Sequence, residues 1–215
     1  YNGFFVKADS FIKYGAENEL KVIARNADQP NSRWYSGAGI YRPVHLYVAE
    51  KKHILPNGVK IKTTAIKPAT IEVAISTTHA GTVQVSIYKG NDLICTSQAE
   101  TTGQVTQQLE IPDAQLWNID TPHLYQCVVE FEQDSQKHQF GIRTVSCDTE
   151  GFRINGERVI MLGACVHHDN GLLGACAFPE AETRKVRILK EHGFNAIRSS
   201  HNPCSKAMLD ACDRM

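Results

Sequence analysis

Charge of one sign is missing from this sequence. Lys and Arg total 23 and Asp and Glu total 23, so the net charge is zero. That balance offers no electrostatic footprint for a nucleic acid or an anionic membrane surface. Long apolar runs are missing too: none reaches the roughly 20 residues a helix needs to cross a bilayer. The seven cysteines (95, 127, 147, 165, 176, 204 and 212) are odd in number, irregularly spaced and contain no CxxC, which argues against a disulfide framework or a structural zinc site. Several sit in apolar segments where a thiol acts as a small hydrophobe. The chain opens "YNGFFVKADS", with neither an initiator Met nor a charged-then-apolar leader, and it reads as cut at that end. No compartment is selected. At 42% hydrophobic and 21% charged residues, the remaining class is an ordinary globular chain of one or two domains.

What is present falls into three rhythms. Residues 1–50 read as β: "NELKVIARN" alternates Leu20, Val22 and Ala24 against Glu19, Lys21 and Ile23, and "RPVHLYV" puts Val44, Leu46 and Val48 on one face. Two or three strands cannot bury a core alone, so this segment is expected to be the end of a larger sandwich. Residues 51–145 keep a period of two through about seven short runs, including Ile71, Val73 and Ile75, then Val83, Val85 and Ile87. "KGND" leads as a turn into Leu93 and Cys95, and Val105, Gln107, Leu109 and Ile111 follow. Such spacing is the mark of an immunoglobulin-like β-sandwich, without its Cys–Trp–Cys core.

From residue 146 the rhythm changes. "GFRINGERVIML" predicts a hairpin turning at Asn155-Gly156, with its second strand continuing from Val159 to about Val166. A helix is expected from Pro179, favoured at its start by Glu180 and Glu182 and stopped at Gly193. "NAIRS" is a second strand. Ser205 then caps a second helix whose buried face holds Met208, Leu209, Cys212 and Met215. Strand, helix, strand, helix is a parallel βαβα pattern.

Both parallel strands end in chemistry. The first closes on "VHHDN", with His167, His168 and Asp169; the second on "RSSHN", with Arg198, His201 and Asn202. Carboxyl ends of parallel strands share one rim, so groups more than thirty positions apart converge there. Imidazole, carboxylate and amide groups on a concave rim suit a hydroxyl-rich ligand. A metal cluster of His167, His168, Asp169 and His201 is the competing reading. Adjacent residues on an extended strand point opposite ways, which leaves at most three able to meet.

"GACVHHDNG", "GFNAIRSSHNP" and "LDACDRM" together resemble the start of the catalytic barrel in family 2 glycoside hydrolases, the β-galactosidase and β-glucuronidase family. Asn195, Arg198, Ser200, His201 and Pro203 match its Asn-x-x-Arg-x-Ser-His-x-Pro signature, and Cys212, Asp213 and Arg214 its Cys-Asp-Arg stretch. "GAGIYRPVHLYV" resembles the last strand of the family's jelly-roll domain, and "LWNIDTPHLY" a loop of its immunoglobulin-like domain. The resemblance implies a mainly β chain: the end of a jelly-roll (1–50), a whole sandwich (51–145) and the first part of a (β/α)8 TIM barrel (146–215). It also implies that His167, Asp169, Arg198, His201 and Asn202 bind substrate, a β-linked glycoside or oligosaccharide, in a retaining β-glycosidase of β-galactosidase type.

The family's two catalytic glutamates lie on later barrel strands, so the chain by itself is expected to be an inactive fragment. No cofactor is expected on it; any magnesium site of the parent enzyme would use other residues. β-Glucuronidase or β-mannosidase are alternatives within the family, and a non-catalytic carbohydrate-binding sandwich is the alternative outside it. The stretch "NSRWYSG" offers Asn31, Ser32 and Arg33 but no acid, which leaves galactoside specificity open; Trp34 and Tyr35 read as packing residues. Two parallel strands apolar on both faces leave an open edge, so the part after Val145 is expected to be poorly ordered or to self-associate through the incomplete barrel.

Overall fold

A computed structural model describes residues 3–26 and 39–215. The expectations for residues 31–35 therefore fall outside the described residues. The centre of the molecule is a sandwich of two antiparallel sheets. One has the order β1-β2-β5, from Ile54–Ile66, Ala69–Thr77 and Gln104–Glu110. The other has the order β4-β3-β6-β7, from Asp92–Thr101, Gly81–Lys89, Tyr125–Phe131 and Asp134–Phe140. The period-two pattern explains it: Ile71, Val73 and Ile75 face Val83, Val85, Ile87, Cys127, Val129 and Phe131 in one core, all nearly or fully buried. Gln107 lies on the same inward face, and its Nε2 donates to the Val83 carbonyl of the opposite sheet at 3.1 Å.

Leu93 departs from the expectation that it faces inward with Cys95. It is 55% exposed, because a bulge between Ile87 and Tyr88 shifts the β3–β4 register and turns the alternation over at that point. The strands predicted around residues 19–25 and 44–48 are absent among the described residues, where Leu20, Val22, Val44, Leu46 and Val48 are exposed. Alternation alone does not make a strand. The ladder needs a partner and the apolar face needs a layer against it.

After the sandwich, β8, β9 and β10 (Val145–Asp148, Gly151–Ile154, Glu157–Arg158) form a small antiparallel sheet. Its hairpin turns at Asn155 and Gly156, both at positive φ (54° and 84°), as the Asn-Gly pair predicts. The long second strand of the sequence reading is in fact two. β10 stops at Arg158, and β11 (Gly163–Val166) pairs in parallel with β12 (Ala196–Ser199), Cys165 opposite Arg198 and Val166 opposite Ser199. The break is held by Asn195, whose Oδ1 accepts from the Leu162 N–H at 2.8 Å while its Nδ2 donates to the Ile160 carbonyl at 2.9 Å.

Helix α1 (Pro179–Glu191) joins β11 to β12, and α2 (Lys206–Arg214) follows, with the Ser205 hydroxyl accepting from the Met208 N–H at 3.2 Å as its N-cap. Val186, Met208 and Ala211 make a second core with Val166, Ile197, Cys212 and Met215. Leu209 is not part of it. It is 55% exposed, and Ala211, three residues beyond Met208, takes the inward place.

The part after Val145 carries regular elements, and they rest on a support the sequence pattern does not display. The sandwich loop at 112–122 docks on both helices. Trp117 Nε1 donates to the Asp213 carbonyl at 2.7 Å, and Lys190 Nζ donates to the Ile119 carbonyl. Arg143 pairs with Asp213 at 3.0 Å and stacks on the Trp117 ring, 4.3 Å from its centroid. Asn155 Nδ2 adds a bond to the Trp117 carbonyl at 3.0 Å.

Candidate functional site

The parallel register brings the ends of β11 and β12 side by side, closed by the Ser200 N–H donating to the Val166 carbonyl at 2.9 Å. One residue past β11 stands His167; two past β12 stands His201, after a cis Ser200–His201 peptide. Their rings meet edge to face, with centroids 5.7 Å apart and planes at 89°. The convergence expected from the strand ends is present.

Arg198 organises this pair. Its Nη1 lies 3.1 Å from Ser200 Oγ, 3.3 Å from His201 Nδ1 and 3.5 Å from Cys165 Sγ. A guanidinium only donates, so His201 Nδ1 accepts, which puts the proton of the neutral ring on Nε2. His201, an exposed residue, thereby carries a hydrogen-bond donor at Nε2. Ser200 and Arg198 also pull the exposed Cys165 thiol below its ordinary range, Ser200 most.

His168 takes the opposite direction from His167, as neighbouring residues on extended chain do. It packs on Tyr41, centroids 5.6 Å apart. Burial holds its pKa down first; Arg42, Lys185 and His167 push the same way, and Glu182 opposes them. Asp169 serves its own loop with at least one oxygen: Oδ1 accepts from the Gly171 N–H at 3.0 Å. Asn202 is half-buried, and its carbonyl accepts from the Ser199 hydroxyl at 2.5 Å. His167, Arg198 and His201 are therefore brought together, while Asp169 and Asn202 are also tied to the turns that carry them.

Three contributors escaped the sequence reading. Glu182, taken as a dipole partner of α1, is 1% exposed; its Oε1 accepts from Asn170 Nδ2 at 3.1 Å, and Lys185 Nζ lies 3.6 Å from Oε2. Asn170 also donates to the Cys176 carbonyl at 2.9 Å, so this cluster shapes the loop leaving β11. Its position four before Val186 was a usable signal, because it places Glu182 on the buried stripe. The other two are Tyr41 and Arg42, from a segment with no local sign of contact with the rim. The Tyr41 carbonyl accepts from the Ala177 N–H at 2.9 Å, and Arg42 Nη2 donates to the Pro203 carbonyl.

No group of three His, Cys, Asp or Glu among the described residues is arranged to hold a metal ion. The rim supplies an imidazole donor, a guanidinium and a carboxylate. Such groups recognise hydroxyls and stabilise developing charge; they do not by themselves form the two-carboxylate machinery of glycosidic bond cleavage.

Comparison with known proteins identifies the family of the fold. The profile for Glycosyl hydrolases family 2 matches residues 53–143, and that for the family's TIM barrel domain matches residues 145–215. A beta-galactosidase, BoGH2A of Bacteroides ovatus, is 37% identical over the whole of this chain and 28% of its own length. A putative beta-glucuronidase of Formosa agariphila is 32% identical, again over the whole chain and 22% of its length. The crystal structure of a glycosyl hydrolase family 2 member from Bacteroides cellulosilyticus superposes with a TM-score of 0.80 at 38% identity, covering 87% of this chain and 29% of that one. The chain spans between a fifth and a third of the length of these relatives.

Proposed function

Because the chain belongs to glycosyl hydrolase family 2, we propose that it is the substrate-positioning part of a retaining β-glycosidase acting on terminal β-galactosides. The observation carrying this reading is the edge-to-face pair of His167 and His201 at the carboxyl ends of adjacent parallel strands, with Arg198 bonded to His201. The exposed His201 donates to a sugar hydroxyl from Nε2; Arg198 holds that tautomer and adds positive charge. Asp169 accepts from a ring hydroxyl, and Asn202 lines the edge. These contacts tighten as the sugar flattens toward its oxocarbenium-like transition state. The acid/base and nucleophile carboxylates are supplied by other parts of the full enzyme, which the shares of relatives' length support. The β-galactoside assignment follows BoGH2A; β-glucuronidases among the relatives support a uronide as the second reading.

The test is kinetic, on the full-length enzyme containing this chain. Hydrolysis of a p-nitrophenyl β-galactoside is expected to exceed that of the β-glucuronide. His201→Ala is expected to lower kcat/KM by about a hundredfold, as for loss of one transition-state donor. Preference for the glucuronide overturns the substrate. Unchanged kinetics in His201→Ala overturns the site.

A further inference from the structure

Tyr41 and Arg42 come from the segment before the sandwich, yet both bind loops that follow the barrel-type strands. The Tyr41 carbonyl accepts from Ala177 N–H, in the loop leaving β11. Arg42 Nη2 donates to the carbonyl of Pro203, two residues after His201 in the loop leaving β12. The Tyr41 ring also packs on His168, and the Arg42 guanidinium sits 5.0 Å from the centroid of that ring. One dipeptide therefore spans the two loops whose ends carry His167 and His201.

We propose that Arg42 is a positioning residue: by tying the Pro203 carbonyl to the segment that also holds the β11 loop, it sets the approach of the His201 ring to the His167 ring. The physical reason lies in what else restrains these loops. β11 and β12 are four residues each, and only four register pairs join them. Beyond Ser200 the chain leaves the ladder, and no strand hydrogen bond fixes where His201 goes. Arg198 orients the His201 ring through Nδ1 and reaches Cys165 on β11, but that contact lies within the strand pair, short of the loop leaving β11. A strap anchored on both loops can. An arginine suits the task, because its rigid fork holds one carbonyl while the planar face lies on an aromatic ring. The role deepens the sugar-site reading above and rests on it for its functional meaning, but its geometry stands apart.

The experiment uses the 215-residue chain with histidine-labelled NMR. The edge-to-face pair gives one imidazole proton an upfield ring-current shift, identified by its loss in His167→Ala. Arg42→Ala and Arg42→Gln, which cannot reach the Pro203 carbonyl, are expected to abolish that shift while sandwich amide resonances stay dispersed. Arg42→Lys, which retains a long donor, is expected to restore it. The His168 titration supplies the second readout. Around that ring stand Arg42, Lys185, Glu182, His167 and the Tyr41 phenol ring. Its midpoint is expected to rise in Arg42→Ala and to stay in place in Arg42→Lys. A role confined to stability would lower the melting temperature and leave both signatures in the folded molecule. Should Arg42→Ala unfold the region after Val145, Arg42→Gln carries the comparison. An unmoved ring-current shift in a folded Ala or Gln variant overturns the strap and leaves the sugar site standing; normal kinetics in full-length His201→Ala does the reverse.

Discussion

Trp117 and Asp213 are 96 residues apart, and the indole N–H of the first donates to the main-chain carbonyl of the second at 2.7 Å. The bond joins a loop of the sandwich to the last turn of α2. Arg143 completes the joint with its carboxylate contact to Asp213 and its stack on the indole. Asp213 lies in the Cys-Asp-Arg stretch that marks the family resemblance, and in this chain it docks the sandwich loop on α2.

Trp117→Ala is expected to destabilise the βαβα unit by about 3 kcal/mol, the low end for truncating a packed aromatic. The sandwich should keep its own transition, so calorimetry should split one unfolding event into two. Gly141→Ala is expected to act on the same joint, because a Cβ there would stand 2.7 Å from Trp117 Cβ and Cγ. The indole must shift, at about 1–3 kcal/mol for overpacking. Asp213→Asn should cost only about 0.2–1 kcal/mol, because the pair is a third exposed on each side and the carbonyl bond survives. A single unaltered transition in Trp117→Ala would refute the joint.

Glu182→Ala removes a carboxylate that is 1% exposed and leaves Asn170 and Lys185 facing each other without it. A loss of about 3 kcal/mol is expected, as for breaking a buried polar pair on one side. Glu182→Gln keeps an acceptor for Asn170 and should cost less. The same Gln substitution removes the one charge that raises the His168 pKa, so the His168 midpoint should fall further. Urea unfolding and histidine NMR on both variants check the two halves.

Acid should loosen the chain below neutrality. His168 and His138 both titrate below the ordinary 6.5, in each case mainly because burial disfavours the charged ring. Their unfolded forms bind protons first. The stability they contribute is therefore present above pH 6.5 and is lost as pH falls through that value toward their folded pKa. Asp148 adds a similar loss only below about 3.8, because hydrogen bonds from Arg153 and the Glu150 N–H hold it low. Urea midpoints should drop between pH 7.5 and 5.5, and His138→Asn with His168→Asn should flatten that drop. A slope that persists in the double variant would exonerate both rings.

Cys165 should be the first thiol to react. It is exposed and its pKa is lowered by Ser200 and Arg198, whereas burial pushes Cys127 up to about 12 and Cys212 up to about 11. The thiolate is the nucleophile, so iodoacetamide at neutral pH should label Cys165 ahead of Cys147, which is also exposed. Arg198→Met should slow that labelling. Peptide mapping by mass spectrometry reads the order, and faster labelling of Cys147 would contradict the assignment.

The sandwich strands, the Asn155-Gly156 turn, the caps of both helices and the meeting of His167 with His201 were all legible in the residues. Each follows from a rule that acts over a few positions: the two-residue period, positive φ at Asn-Gly, Ser at an N-cap, and the shared rim of parallel strands. Leu93 and Leu209 escaped because one bulge and one helix rotation change which side a residue faces. The first fifty residues escaped because alternation describes a surface and not its partner. Only the tertiary structure decided that His168 turns to Tyr41, that Glu182 is buried under the β11 loop, and that Trp117, Arg143 and Asp213 lock two domains. Those contacts join segments far apart in the chain, and nothing within a short window of sequence carries the distance between them.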